Sequence, residues 1–581
     1  MIFKILKKDF LRKKVITIAV FIFIMLSALL VASGTNMLIN LTNSLDYLFE
    51  SASAPHFTQS HSGNFDQNLI DQWSTDNSYV KKQQTCKMIN IPGSKIYIKS
   101  DQNDQAEIDP VMDNGFVKQN KHFDYLLNLD NEIIEVNEGE IAVPIYYKQR
   151  RELAIGDKVV IKDKGLKLSF TITDFVRDVQ MNPSMLSSKR FVVSAADFNK
   201  LSKGTAEMEY LISYQLHDRS DLQAFSNQYS QSDLPQKGPT IDYDLLRIAN
   251  SLTDGLIAAV IILISLLLSV ISLLCLRFII ILTLEEDYRE IGVMKAIGIS
   301  PADIRRIYLS KYFFMALAAA VTGYVVSLFV NNLFTNNIML YIGTAPLSIL
   351  EQIIPLLAAF VIAFMVIIFC IIVLRRFKKI SAVEAIRMGS TGVDYANKER
   401  LALSKNKIFN SNIFLGLRDV VLRFRIYIIL FLVFILSTFI IIVPLNFLNT
   451  IQSSDFITYM GVGKSDIILD LRQSDLIRER FQEMVNYVNK DQDVTRYAPF
   501  ITCKFEIINQ DGVPESLYVE TGDFTIFPVD YLKGGAPLNS SEIALSYLSA
   551  DELEKKVGDK VELIRNRKRR TMTVSGIYQD I

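Results

Sequence analysis

The stretch LIAAVIILISLLLSVISLLCL, running from Leu256 to Leu276, carries no charged residue over 21 positions. At about 1.5 Å per residue, a helix of that length crosses the ~30 Å hydrocarbon core of a bilayer. A helix suits that setting because it satisfies its own backbone hydrogen bonds. The apolar character resumes after Arg277 and continues to Leu284. Four further runs behave alike: Val15 to Leu30 with a weaker extension to Met37, Tyr312 to Phe334, Ile353 to Leu374, and Tyr427 to Leu448. One such run fits a buried helix of a large soluble protein, and five do not. The chain is expected to be an α-helical membrane protein.

Composition agrees and excludes other classes. The 62 Lys and Arg balance 62 Asp and Glu among 581 residues, which removes the basic surplus that nucleic-acid binding needs. With 21% charged and 50% apolar residues, the chain is not disordered along its length. Four Cys cannot form a disulfide scaffold at this size.

Lys and Arg at the ends of the apolar runs set the expected orientation. Lys4, Lys7, Lys8, Arg12, Lys13 and Lys14 precede the first run, and Arg289, Lys295, Arg305, Arg306 and Lys311 follow the second. Arg375, Arg376, Lys378, Lys379 and Arg387 follow the fourth, and Arg418, Arg423 and Arg425 precede the fifth. The link from Thr335 to Leu350 has no charge. All basic flanks then fall on the cytosolic side, with the amino terminus inside. The expected order is a basic cytosolic terminus (1–14), a span (15–37) and an extracellular α+β domain (38–254). A second span with a cytosolic extension (255–284), a cytosolic coupling segment (285–311) and a third span (312–334) follow. A short extracellular link (335–352), a fourth span (353–374), a cytosolic linker (375–426), a fifth span (427–448) and a partial extracellular domain (449–581) complete it. The first segment also has the outline of a secretory signal, ending in Ala32-Ser33-Gly34, but its apolar run is long for one.

The chain repeats itself. Thr85-Cys86-Lys87 recurs as Thr502-Cys503-Lys504, Glu140-Ile141-Ala142 as Glu542-Ile543-Ala544, and Gly156-Asp157-Lys158-Val159 as Gly558-Asp559-Lys560-Val561. Phe170-Thr171-Ile172 resembles Met572-Thr573-Val574, and Leu6-Lys7-Lys8-Asp9 resembles Leu417-Arg418-Asp419. Ordered matches at nearly constant offset predict two copies of one unit: a four-span unit plus a partial second. By that reading the second copy lacks a counterpart of Asp178 to Arg387, roughly 200 residues with three spans of about 20 each. Each outer domain is expected to start strand–helix–strand, with the second using Ile467 to Leu469, Leu476 to Tyr487 and Phe500 to Ile508.

A search for chemistry in the outer domains finds little. His56 and His61 have no Cys, Glu or Asp at helical ligand spacing and read as solvated loop residues. Gly463-Lys464-Ser465 ends like a phosphate-binding loop, but the leading Gly is replaced by Thr458 and the segment faces away from ATP, so it reads as a turn. Cys86 and Cys503 read as small buried residues.

The informative segment lies after the second span. Helical periodicity continues from Arg277 to Glu286, and Arg277 is expected to snorkel at the headgroup level. Arg289-Glu290-Ile291-Gly292-Val293-Met294-Lys295-Ala296-Ile297-Gly298 follows, then Ser300-Pro301 with Asp303, a helix-start signal. Ile291, Met294 and Gly298 fall on one face at helical spacing, flanked by Glu290 and Lys295. Two readings fit: an apolar knob for a helix-in-groove contact, or an amphipathic loop on the membrane surface.

Arg289 to Gly298 after a second span, with Ile380-Ser381-Ala382-Val383-Glu384-Ala385-Ile386-Arg387 after a fourth, resembles the FtsX/MacB-like ABC transporter permease family. The first match is specific; the second is looser, since the family often has Pro where this chain has Ala382. Ser381 and Glu384 still make a capping box there. The resemblance implies a separate ABC-type ATPase, two copies per complex, with ATP and Mg held on that partner and no cofactor on this chain. It implies docking on the coupling segment (Glu290, Ile291, Gly292, Met294, Lys295, Ala296, Gly298) and a second cytosolic helix (Ser381, Glu384, Arg387). It also implies a plasma-membrane permease that is not itself an enzyme and that moves its outer domains. A peptide, lipid or lipoprotein would be exported or extracted. The alternatives are a signal-transmitting permease that activates an extracellular hydrolase or a sensor kinase, and a membrane-anchored enzyme, against which the missing catalytic constellations argue.

Overall fold

The computed structural model describes residues 14–100, 103–106, 112–163, 166–183, 186–204, 208–346, 349–375, 381–388, 410–422, 424–471, 476–508, 514–565 and 568–579. The basic residues before Lys14 and most of the linker after Leu374 lie outside these. Among the described residues, five helices are long and apolar enough to cross a membrane. They are α1 (Lys14–Ser51), α2 (Tyr243–Glu286), α4 (Pro301–Tyr341), α5 (Ile349–Leu374) and α8 (Phe424–Gln452). Between them lie the short helices α3 (Tyr288–Ala296), α6 (Ala382–Met388) and α7 (Ser411–Leu422).

Three of the five exceed the apolar runs that marked them by more than ten residues. The 44 residues of α2 span about 66 Å, twice the hydrocarbon thickness. Asp242 starts α2 by accepting the Leu245 amide at 2.8 Å. The excess of α1 past Met37 is helical because Leu41, Leu45 and Leu48 repeat at intervals of four and three, with Phe49 beside them, and all four are buried. The third, α4, begins eleven residues before Tyr312, at Pro301, and ends at Tyr341. The linker expected between the third and fourth spans is therefore partly helix.

The bundle is organised around α1, which packs on α2, α4 and α5. Two buried clusters run through it. One joins Val20, Ile24 and Ala28 of α1 with Leu284 of α2, Ile304 and Met315 of α4, and Val366 and Leu374 of α5. The other joins Leu41 and Leu48 of α1, Leu246 of α2 and Ile338 and Tyr341 of α4 to the first α+β domain, including Phe116, Val143 and Phe191. That domain and the helix ends beside it thus share one core. The last span, α8, leans on α2 and is otherwise largely exposed.

The first domain is one eleven-stranded sheet. Its strands are β1 (Phe57–Ser62), β2 (Val80–Ile91), β3 (Ile96–Ser100), β4 (Asn103–Ala106), β5 (Asp113–Val117) and β6 (Glu140–Pro144). They continue as β7 (Lys158–Asp163), β8 (Leu166–Val176), β9 (Ser188–Val193), β10 (Met208–Leu216) and β11 (Thr240–Asp242). The order is β11-β1-β10-β2-β5-β9-β6-β8-β7-β3-β4, with β5–β9 and β6–β8 parallel. Helices Gln67–Asp76, Ala195–Gly204 and Leu222–Ser230 flank it, making the domain α+β.

The second module holds β12 (Ile501–Ile508), β13 (Pro514–Thr521), β14 (Tyr531–Gly534), β15 (Glu542–Ser546), β16 (Lys560–Arg565), β17 (Lys568–Tyr578) and α9 (Ile477–Val488). Part of it matches the first domain bond for bond. β6 runs parallel to β8 with a bulge between Ile141 and Ala142; β15 runs parallel to β17 with a bulge between Ile543 and Ala544. Lys158 opposes Thr171, and Lys560 opposes Thr573, each residue 402 positions on (560 − 158, 573 − 171). The Gly156 amide bonds the Ile172 carbonyl at 2.8 Å, and the Gly558 amide bonds Val574 at 2.8 Å.

Other expectations need correction. Ile467 to Leu469 forms no strand, and all three residues are exposed. In the first domain the matching strand β1 lies between β10 and β11, and among the described residues the second module has no strand in either place. His61 is not in a solvated loop: it is buried in β1, and its Nδ1 accepts the Lys237 amide at 3.1 Å. His56 is half-buried, and its Nδ1 accepts the Leu216 amide at 3.0 Å. Cys86 is buried, which pushes its thiol up to about 11, whereas Cys503 is half-buried.

Candidate coupling platform

The platform is built where α2 ends. The helix stops at Glu286, and Asp287, at φ −88° and ψ 9°, turns the chain into α3. Tyr308 of α4 holds that corner by donating its hydroxyl to Asp287 Oδ2 at 2.9 Å. At the far end α3 closes in a Schellman motif. The Ile299 amide bonds Met294 O at 3.0 Å and the Gly298 amide bonds Lys295 O at 3.1 Å. Gly298 stands at φ +96°, a left-handed conformation that glycine enters without cost. Ser300 then caps α4 by accepting the Asp303 amide at 3.1 Å, and Pro301 occupies the first turn, as the sequence indicates.

The expected face of α3 is turned round. Ile291 is fully buried in the cluster that runs through the bundle, and Met294 packs against that cluster. Gly292 sits inside the helix and is also buried. A Cβ at position 292 would lie 2.5 Å from the Ala385 Cβ and 3.5 Å from the Ala382 carbonyl. Glycine there is what lets α6 lie directly against α3. The two short helices thus form one unit, with its inner side keyed into the bundle by Ile291.

Glu290, Ala296 and Gly298 of the expected coupling segment are exposed, but the apolar outward residues are ones the sequence pattern had not singled out. Val293 is 45% and Ile297 71% exposed, four residues apart on α3, beside exposed Arg289, Glu290 and Ala296. On α6, Val383 is 74% and Ile386 46% exposed, while Ala385 is buried. The i, i+4 pair Val293–Ile297 was visible in the sequence, but Ile291–Met294 fits the same helical spacing equally well. Only the packing of α3 decides which face is buried. Partial burial lowers the Lys295 ammonium from its ordinary value. Ser381 precedes α6, which carries Glu384 and Arg387; the side-chain contacts expected of those two fall outside the described residues.

Valine at position 292 should separate the two helices. Overpacking of this kind costs about 1–3 kcal/mol, so amide exchange across α6 should rise about 5- to 150-fold in Gly292→Val. Unchanged protection of residues 382–388 would show that the Gly292–Ala385 contact does not hold α6.

Comparison with known proteins bears on this region. The family model of the FtsX-like permease C-terminal domain matches residues 262–382, which run from within α2 to the start of α6 and include all of α3, α4 and α5. No curated protein matches the chain. Among solved structures, the chain is similar to the periplasmic region of MacB from Actinobacillus actinomycetemcomitans, at 11% identity over 34% of this chain and 94% of that one, with a TM-score of 0.21.

Proposed function

From the premise that this chain is an FtsX/MacB-like permease, we propose that it is the membrane subunit of an ABC-type transporter that couples ATP hydrolysis on a separate chain to movement of its α+β domains. The observation that carries the proposal is the platform: two short helices in contact, apolar and exposed on one side, keyed into the bundle core by Ile291 on the other. An ATPase seated on Val293, Ile297, Val383 and Ile386 pushes on a unit whose Ile291 is buried in one cluster with Leu284 of α2 and Ile304 of α4. In this reading the platform and the amino terminus are cytosolic, and the α+β domains are extracellular. Two ATPase copies bind per complex and hold the ATP and Mg, and a peptide, lipid or lipoprotein is exported or extracted. The shared register of β15–β17 and β6–β8 supports a second module copied from the first.

The purified chain alone should turn over no ATP, and adding its cognate ATPase should produce turnover that responds to the chain. Hydrolysis that stays with the chain through further purification would overturn the proposal.

A further inference from the structure

Helices α1 and α2 run unbroken into the first α+β domain, but α4 reaches it only through non-covalent contacts. Besides the Tyr341 hydroxyl, which donates to Gln149 Oε1 at 2.6 Å, those contacts gather on the loop that leaves β8 after Val176. Arg177 is buried, donates from Nε to Leu340 O at 3.1 Å and from Nη2 to Met339 O at 2.7 Å, and reaches Asn131 Oδ1 at 2.9 Å and Leu129 O from Nη1. Asn182 donates to Tyr341 O. From α2, Asn250 donates to Val179 O at 2.8 Å, and Val179 is buried among Leu246, Ile338 and Tyr341.

The acceptors are the carbonyls of the last turn of α4, which no amide within the helix can reach. Ile338 O takes the Ile342 and Gly343 amides at 2.8 and 3.0 Å. One guanidinium takes the next two and Asn182 the last, so another domain makes the carboxyl cap of this helix. A cation at that end also meets the negative pole of the helix dipole. Gly343 makes room for it: at φ +98°, a Cβ would stand 2.8 Å from Arg177 Nη1 and 3.0 Å from Asn131 Oδ1.

The loop is also fixed from behind, by β9. Arg190 holds the Asp178 carboxylate, from Nε at 2.7 Å and from Nη2, and the Gln180 amide bonds Asp178 Oδ1 at 2.8 Å. Lys189 Nζ donates to the carbonyls of Met181, Pro183 and Leu186 at 3.0, 2.8 and 2.7 Å. Burial draws the Arg177 guanidinium down to about 10, which leaves it charged at neutral pH.

We propose that Arg177 and Asn182 are positioning residues that clamp the carboxyl end of α4 to the first α+β domain, so that a displacement of α4 moves the sheet. The clamp rests on the permease reading above. The test uses the full chain in nanodiscs with its native cysteines replaced, spin-labelled at Lys121 in the domain and Leu333 on α4, both exposed.

In the wild type the interlabel distance should be narrowly distributed and should shift when the bound ATPase is trapped with ATP. In Arg177→Met and Asn182→Ala the distribution should broaden, and the shift should fall by at least half. ATPase capture and turnover should persist, and Arg177→Lys should restore only part of the motion. A merely structural role would lower thermal stability and leave the shift intact, which overturns the clamp. If Arg177→Met does not fold, Asn182→Ala carries the same test. A wild type that binds ATPase but does not shift overturns the transmission reading instead. The nucleotide-free width then decides the clamp, and no broadening in the variants refutes it.

Discussion

Arg190→Leu should lower the unfolding midpoint of the first α+β domain by roughly 6–20 °C, the product of about 3–5 kcal/mol for breaking a buried ion pair and about 2–4 °C per kcal/mol in a domain of this size. Arg190 is buried in β9, with Nη1 at 2.8 Å from Asp124 Oδ2, Nη2 at 3.3 Å from Asp124 Oδ1, and both Nε and Nη2 on Asp178. Removing it leaves two buried carboxylates without the guanidinium that both of them bind. Adding Asp124→Asn and Asp178→Asn to the Leu variant should therefore recover part of the loss, which simple loss of packing would not allow. The only tryptophan, Trp73, packs against Tyr214, Phe225 and Tyr229 in this same domain. Its fluorescence follows this domain and not the bundle. A midpoint within a degree or two of wild type would show that the triad contributes no net stability.

Ile297→Asp combined with Val383→Asp should cut ATPase capture about 30- to 1,000-fold, since charging an apolar contact costs on the order of 2–4 kcal/mol and each 1.4 kcal/mol is tenfold. Both side chains are more than two-thirds exposed, so the fold and membrane insertion should be unaffected. Aspartate at Ile291, the position that the spacing favours, asks a different question. That side chain lies in the bundle core, and its replacement would unfold the platform whether or not an ATPase binds there. Undiminished capture by the double variant would place the ATPase elsewhere.

What the sequence made legible was what depends on local pattern. Uninterrupted apolar runs located the five long helices, and Ser300-Pro301 located the start of α4, because caps and lipid-facing surfaces are written in neighbouring residues. The extensions of α1 and α2 toward the first α+β domain were harder. Asp46, Glu50, Asp244 and Arg247 break the apolar signal there, although the spacing of Leu41, Leu45 and Leu48 carries it on. The side of α3 that faces out depends on α6, more than eighty residues away, and its pairing at Gly292 and Ala385 leaves no mark in either segment. Arg177 and Asn182 are still less visible, because their partners are backbone carbonyls that every residue has. The missing strand at Ile467 to Leu469 shows the same dependence in reverse: a strand-like run stays unpaired where no partner strand is beside it.

The central claim is that the outward side of α3 and α6 receives an ATPase, and site-specific photo-crosslinking tests it most directly. A photoreactive residue at Ile297 should capture the ATPase in membranes, and one at Val383 should do the same. The same residue at Phe329, 81% exposed on the membrane-spanning surface of α4, should capture none. Capture at Phe329 with none at Ile297 or Val383 would contradict the account.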